Sequence, residues 1–375
     1  MLYFDYAATT PVYPEVLKAY HELLEKYYAN SASAHYMGSQ VASLQNRARQ
    51  QIADLFGVKS NEIIFTGGAS EANNLAIKGV AFQAAKRGKH LITTSVEHPS
   101  VLNTFKQLEE EFGYEVTYLP IDETGRVQLS ELKKALKKTT TLVSIMFVNN
   151  ETGVVNPVEE IAAYLKVNWP LVCFHVDATQ GIAKIKLDVH NIDLLSLSAH
   201  KIYGLKGSGL LLKKEKVQLL PLISGGEQEF GLRAGTSNWP VNVMLAKTLR
   251  LGFENRERNY QKVLNFNKKV RAAIASLEGL KINSPSDAMP YILNVSFMEK
   301  KAGVIANYFE KEGICVSSIS ACSSQKEIYS PTIAQMFKDE KRALSSIRIC
   351  FSHFNSDSEI EKLITVIKKA LSATK

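Results

Sequence analysis

Leu194-Leu195-Ser196-Leu197-Ser198-Ala199-His200-Lys201 reads as a buried strand that runs directly into a lysine. Most lysines sit on exposed faces, so an amine just past an apolar strand end has two readings. One is a surface lysine at a turn. The other is an amine at the carboxyl edge of a parallel sheet, where α/β proteins bind their ligands. Desolvation there would lower its pKa and suit it to Schiff-base chemistry.

Outward from this stretch, strand and helix patterns alternate. Strand-like runs fall at residues 62–65, 90–94, 115–119, 142–148, 172–176, 194–198 and 209–212. Segments with apolar residues at helical spacing fall at 16–28, 38–56, 70–85, 101–112, 130–137 and 158–165. Strands separated by helices predict an α/β fold: a large domain with a mostly parallel sheet covered by helices on both faces. After about residue 255 the pattern changes to a long polar helix at 256–277, strands at 292–297, 314–316 and 346–351, and a closing helix at 358–371. The expected division is therefore a large domain over 15–255 and a smaller α+β domain from 1–14 and 256–375.

Composition narrows the class. The chain has 375 residues, 45% hydrophobic and 22% charged, which is ordinary for a globular protein with a real core and argues against disorder. Its 45 Lys and Arg exceed its 37 Asp and Glu by eight. The basic residues are scattered in doublets such as Lys133-Lys134 and Lys368-Lys369, which read as solvated helix faces and not as a nucleic-acid groove. No apolar run approaches the ~18 residues of a membrane span. The first residues carry no basic n-region, so a signal peptide is not expected, and the sparse cysteines make a reducing, cytoplasmic setting the default.

The four cysteines show no close metal-type pairing. Cys173, Cys315 and Cys350 lie in apolar, strand-like runs and read as small buried hydrophobes. Cys322 differs, because Ser317, Ser318, Ser320, Ala321, Ser323 and Ser324 surround it. Such a stretch builds little core, so this thiol is expected on an accessible loop.

Other strand ends carry polar groups. Asp177, in His175-Val176-Asp177-Ala178-Thr179-Gln180, could be a metal ligand, a helix cap or the partner of a protonated ring nitrogen. Thr66-Gly67-Gly68-Ala69-Ser70-Glu71 is a strand-to-helix turn, read either as a phosphate cradle or as a plain helix capped by Ser70. It is neither a P-loop nor a dinucleotide fingerprint, since the required lysine and glycine spacings do not occur. His98, in Glu97-His98-Pro99-Ser100, could shuttle protons over a cofactor ring. Asn149-Asn150-Glu151-Thr152-Gly153 reads as a turn. Five strand ends with suitable groups make a joint pattern that no single one does.

With these motifs in place, the sequence resembles the cysteine desulfurases of the iron–sulfur-assembly and nitrogen-fixation type, within the class V aminotransferases. The likeness runs from Tyr3-Phe4-Asp5-Tyr6-Ala7-Ala8-Thr9-Thr10-Pro11 to Ile347-Arg348-Ile349. It implies a fold-type I enzyme with pyridoxal 5'-phosphate, working as a homodimer on L-cysteine, making alanine and holding the sulfur as a persulfide. It implies that Lys201 carries the cofactor and that Asp177 pairs with the pyridinium nitrogen. Gln180 and Asn150 would lie near the phenolic oxygen, and His98 would stack as an acid or base. Ala69, Ser70, Ser198 and His200 would form the phosphate cup, completed by Thr236 from the other subunit. Arg348 would grip the substrate carboxylate, with Asn30 and His35 lining the site and Cys322 accepting the sulfur. Positions 322 and 348 are 26 apart, which resembles the longer-loop group that passes sulfur to iron–sulfur scaffold and tRNA-thiolation partners.

Four positions depart from the family pattern: Ser31, Leu205, Glu227 and Cys350. None removes a group the reaction needs. The rivals to this reading are a selenocysteine lyase or another class V lyase or transaminase, and a catalytically silent sulfur-trafficking module. An accessible Cys322 favours the desulfurase over the first, and retention of Lys201, Asp177, His98 and Arg348 disfavours the second. No membrane and no direct nucleic-acid contact are expected.

Overall fold

In a computed structural model, which describes residues 1–318 and 329–372, the strands of the large domain assemble as one seven-stranded sheet. The chain enters through a short strand, β1 (Leu2–Tyr3), then helices α1 (Pro14–Lys26) and α2 (Tyr36–Phe56). The large sheet comprises β2 (Ile63–Thr66), β3 (His90–Thr94), β4 (Glu115–Leu119), β5 (Thr140–Ser144), β6 (Cys173–Asp177), β7 (Leu194–Ser198) and β8 (Gly209–Lys213). Helices α3 (Ala69–Gln83), α4 (Pro99–Phe112), α5 (Leu129–Ala135) and α6 (Val158–Asn168) connect them. The strand order is β2-β8-β7-β6-β5-β3-β4, and only β8 runs against its neighbours. The expected mostly parallel sheet is found, and six of its strands present their carboxyl ends to one edge.

Why both faces are covered follows from the strand period of two. Ile64, Leu91, Leu142, Leu194 and Leu211 point to one face, where they meet Leu75 and Ala76 of α3 and Val101, Phe105 and Leu108 of α4. Their sequence neighbours Ile63, Phe65, Ile92, Val143, Leu195 and Leu212 point to the other face, into the larger core with Ile52 of α2 and Ile161 of α6.

A buried ion pair fixes β2 against the turn that follows β8. Arg49 Nη2 meets Glu229 Oε1 at 2.7 Å, both side chains being under a tenth exposed, and Glu229 Oε2 also accepts from Phe65 N at 2.9 Å. Glu229 and Phe230 both adopt positive φ, 50° and 59°, to deliver that carboxylate.

The expected helix at 256–277 is the second half of α7 (Trp239–Ile274), a continuous 36-residue helix that the sequence reading entered too late. Its first half is rich in buried apolar residues, and its polar second half alone stands out by composition. The boundary at residue 255 therefore falls inside a helix common to both parts. Beyond it come β9 (Leu280–Ile282), β10 (Ile292–Phe297), α8 (Ala302–Lys311), β11 (Ile314–Cys315) and β12 (Ser317–Ser318). They are followed by α9 (Pro331–Phe337), α10 (Glu340–Leu344), β13 (Ser346–Cys350) and α11 (Asp357–Ser372). Four of these strands form an antiparallel sheet in the order β12-β13-β10-β9.

The N-terminal segment ties the two sheets together. β1 pairs in parallel with β11, and Cys350 N donates to Phe4 O at 2.7 Å. A few residues on, Thr10 N donates to His200 O at 2.8 Å and Tyr13 N to Tyr203 O at 2.9 Å. Residues 1–13 thus run from the small sheet to the turn that carries Lys201.

Candidate active site

A cavity of about 730 Å³ opens at the carboxyl edge of the large sheet. Nine of the expected site residues line it: Ala69, Ser70 and His98; Asn150, Asp177 and Gln180; and Ser198, His200 and Lys201.

One end is built by the start of α3. Its N-cap is Gly68, not Ser70, and no side chain caps it. The reading of Ser70 as a cap is therefore corrected: Gly68 takes φ 154°, a region open to glycine, and the cap lies two residues earlier. The uncapped first amides of α3 face the cavity and form a natural anion seat. Gly209 opposite is also obligatory, since a Cβ there would lie 2.6 Å from Gly68 Cα.

Lys201 closes a short 3-10 turn after β7. Tyr203 N donates to Thr10 Oγ1 at 2.8 Å and takes φ 68°, so the N-terminal segment holds the turn. The Lys201 amine has no ion pair among the described residues. Burial pushes its pKa down, with Arg348 adding to the effect and Asp177 opposing it. Asp177 is buried at the end of β6; its Oδ1 accepts from Thr179 N at 3.0 Å and its Oδ2 from Asn73 Nδ2 at 2.8 Å. Burial alone would raise this carboxyl, but donors from Thr179 and Asn73 and the facing imidazole of His98 hold it below the usual range. It stays a carboxylate.

Gln180 Nε2 donates to Ala7 O at 3.0 Å, which leaves its Oε1 buried without a partner. His200 Nδ1 lies 3.2 Å from Thr9 Oγ1. Arg348, on β13, is under a tenth exposed and touches a residue of the cavity wall: Nη1 donates to Asn150 O at 3.0 Å, and Nη2 pairs with Asp5 Oδ1 at 2.8 Å. Its Nε has no partner.

The other expected residues stand elsewhere in the chain. Asn30 Oδ1 accepts from Ala32 N at 2.9 Å, and His35 caps α2 by accepting from Gly38 N at 3.2 Å. Thr236 sits beside Gly235 and Arg233, away from the cavity lining. Cys322 lies outside the described residues. Among the described cysteines none lines the cavity, and burial pushes the thiols of Cys173 and Cys350 up.

The sequence reading missed several groups. Lys184 is 5% exposed, and burial together with Lys201 and Arg348 pushes its amine down to about 7. Asn73 sits three residues after Ser70 on α3, fully buried and bonded to Asp177, a spacing that could have flagged it. Glu97 was passed over for its neighbour His98. Its Oε1 accepts from Thr94 Oγ1 and Met146 N, both at 2.8 Å, while Oε2 has no partner. Burial, with Asp177 adding to it, pushes this carboxyl up to about 8.

The sign of that shift sets a pH dependence. The folded protein holds a proton that the unfolded chain releases near 4.3, so Glu97 favours folding fully at low pH, and the benefit is lost as pH rises through about 8. Between pH 6 and 8 the wild type should lose roughly 2 kcal/mol of stability through this group. Urea unfolding of Glu97→Gln should show a flatter pH profile over that interval. Equal slopes for the two proteins would remove Glu97 as the source.

The family model for class V aminotransferases matches residues 2–363. A protein of Lactobacillus delbrueckii subsp. bulgaricus, described as a NifS/IcsS protein homolog, is 39% identical over 97% of this chain and 95% of its own length. The cysteine desulfurase IscS of Clostridium botulinum is 37% identical over 99% of this chain and 94% of its own. Among solved structures, a NifS-like protein superposes with a TM-score of 0.93 at 35% identity, covering 99% of both chains. SspA, solved in complex with cysteine, superposes with a TM-score of 0.82 at 35% identity, covering 95% of this chain and 100% of its own.

Proposed function

Because this chain belongs to the class V aminotransferase family, we propose that it is a cysteine desulfurase that binds pyridoxal 5'-phosphate and converts L-cysteine to L-alanine, retaining the sulfur as a persulfide on Cys322. The observation that carries this reading is a half-buried lysine amine, without an ion pair among the described residues, sharing one cavity with a buried carboxylate and an uncapped helix N-terminus.

The residues fit the cofactor. The amides of Ala69 and Ser70, with Ser198 and His200, would seat its phosphate, and Asp177 would hold its ring nitrogen protonated. The orphaned Gln180 Oε1 marks a polar position that the chain itself leaves unsatisfied. When bound, pyridoxal phosphate supplies an aldehyde that condenses with amines and a ring that takes up electrons from bonds at the substrate's α-carbon.

The chain's own residues do the rest. Burial lowers the pKa of the Lys201 amine, which favours the neutral form that can bond to a carbonyl carbon or take a proton. Lys201 or His98 takes the proton from the substrate's α-carbon. Arg348 offers a planar guanidinium to the substrate carboxylate, which would replace Asp5 on Nη2. The Cys322 thiolate attacks the substrate sulfur, so the Cβ–S bond breaks and an S–S bond forms. A proton added at the β-carbon and the return of one to the α-carbon complete alanine, and the enzyme keeps the sulfane sulfur.

We place the protein in a reducing cytoplasm, as a homodimer in which Thr236 serves the partner's site, delivering sulfur to an iron–sulfur scaffold or a tRNA-thiolating enzyme. No helix among the described residues is long and apolar enough to cross a membrane.

Supplying L-cysteine to the purified protein with pyridoxal phosphate should yield alanine and protein-bound sulfane sulfur in equal amounts in the first turnover. Alanine without bound sulfur would point to a lyase, and pyruvate to a different class V reaction. Neither product would overturn the enzymatic reading.

A further inference from the structure

Asn73 has so far been given only its hydrogen bond to Asp177. It lies on α3 with no solvent exposure, and its Nδ2 donates two hydrogen bonds, to Asp177 Oδ2 at 2.8 Å and to Ser100 Oγ at 2.9 Å. Valence fixes its orientation: a carboxylate only accepts, so the atom facing Asp177 must be the amide nitrogen. Ser100 Oγ, having accepted from Asn73, is left with its own proton to donate. Its other neighbour is His98 Nδ1, at 2.8 Å. The Ser100 backbone N–H points to the same ring nitrogen at 3.1 Å, and a backbone N–H can only donate. His98 Nδ1 therefore carries a lone pair, and the proton of the ring belongs on Nε2.

We infer that Asn73 and Ser100 are positioning residues that lock His98 as a neutral imidazole protonated at Nε2, so that His98 acts as a fixed hydrogen-bond donor in the cavity and Lys201 alone takes the substrate's α-proton. To act as a base at Nε2, the ring must first move its proton to Nδ1, against the Ser100 amide. A doubly protonated ring meets the same obstacle. The charged groups facing His98 do not rescue it: Asp177 favours protonation, but burial and Lys201 outweigh it. Glu97, next along the chain, is itself protonated through neutral pH. A neutral imidazole N–H polarises a developing negative charge without titrating. In the step assigned to Lys201, the Cα–H bond breaks, a new N–H bond forms on Nζ, and the electron pair of the broken bond stays with the substrate.

The role of the α-proton rests on the pyridoxal phosphate reading; the protonation state of the ring does not. Histidine labelled with 15N in the purified protein, with and without pyridoxal phosphate, reports both ring nitrogens, and His98→Gln identifies the signals. The expected result is a protonated Nε2 and a bare Nδ1 at neutral pH, with any titration of the ring below the ordinary imidazole range. The Asn73→Ala, Ser100→Ala double variant keeps the amide of residue 100 but loses the hydroxyl donor, so the Nδ1-protonated tautomer or the doubly protonated ring should gain population relative to wild type. Ser100→Thr should restore the wild-type signals, and the double variant should change the pH profile of kcat more than it changes KM. A His98 protonated at Nδ1 in the wild type at neutral pH, or a ring indifferent to the double substitution, overturns the inference. The expected ring signals together with no alanine formation would instead sink the desulfurase reading alone.

Discussion

Lys201→Ala should leave a folded protein that neither attaches pyridoxal phosphate covalently nor forms alanine, with a loss in rate of at least ~10⁴-fold. The expectation follows from three properties of this amine. It is half-buried in the cavity wall, it has no ion pair among the described residues, and desolvation lowers its pKa. Lys184 is also depressed and is more deeply buried, but it lies over the Tyr291 ring and does not line the cavity. Borohydride reduction of the wild type followed by peptide mass analysis should place the reduced cofactor on the peptide containing Lys201. Lys201→Arg should not rescue, because a guanidinium remains charged and is no nucleophile at neutral pH. A variant with the cofactor still attached, or with a rate within tenfold of wild type, would remove Lys201 from the role.

Cys322→Ala should behave differently. Cofactor attachment at Lys201 should persist, while persulfide disappears and alanine formation falls by ~10²-fold or more, since the thiolate is the group that accepts the sulfur. Cys350→Ser is the informative control. Its thiol is fully buried beside Arg348, and burial pushes its pKa up, so it is a poor nucleophile despite its proximity to the site. That variant should retain activity within a few-fold. If persulfide instead persists in Cys322→Ala and is lost in Cys350→Ser, the two thiols must exchange assignments.

Some of the site was legible because strand ends are local. Lys201, Asp177, His98 and the Gly67-Gly68 turn each follow a short apolar run, and a parallel sheet brings the ends of such runs to one edge whatever their order. The free cap of α3 was only half legible: the glycines were visible, but the choice between Gly68 and Ser70 depended on a φ angle that β8 imposes by passing close to the turn.

By itself, then, the sequence determined the alternation of strands and helices, the chemistry offered at each strand end, and the isolation of Cys322 among small polar residues. These are properties of period and composition within windows of a few residues. The tertiary structure alone decided that Asp5 sits on Arg348, 343 positions away, and that residues 1–13 brace the Lys201 turn. It alone decided that Asn73, Ser100 and Asp177 meet around His98. Those contacts join segments whose separation along the chain carries no periodic signal, and hydrogen-bond directions among them exist only once all the partners are in place.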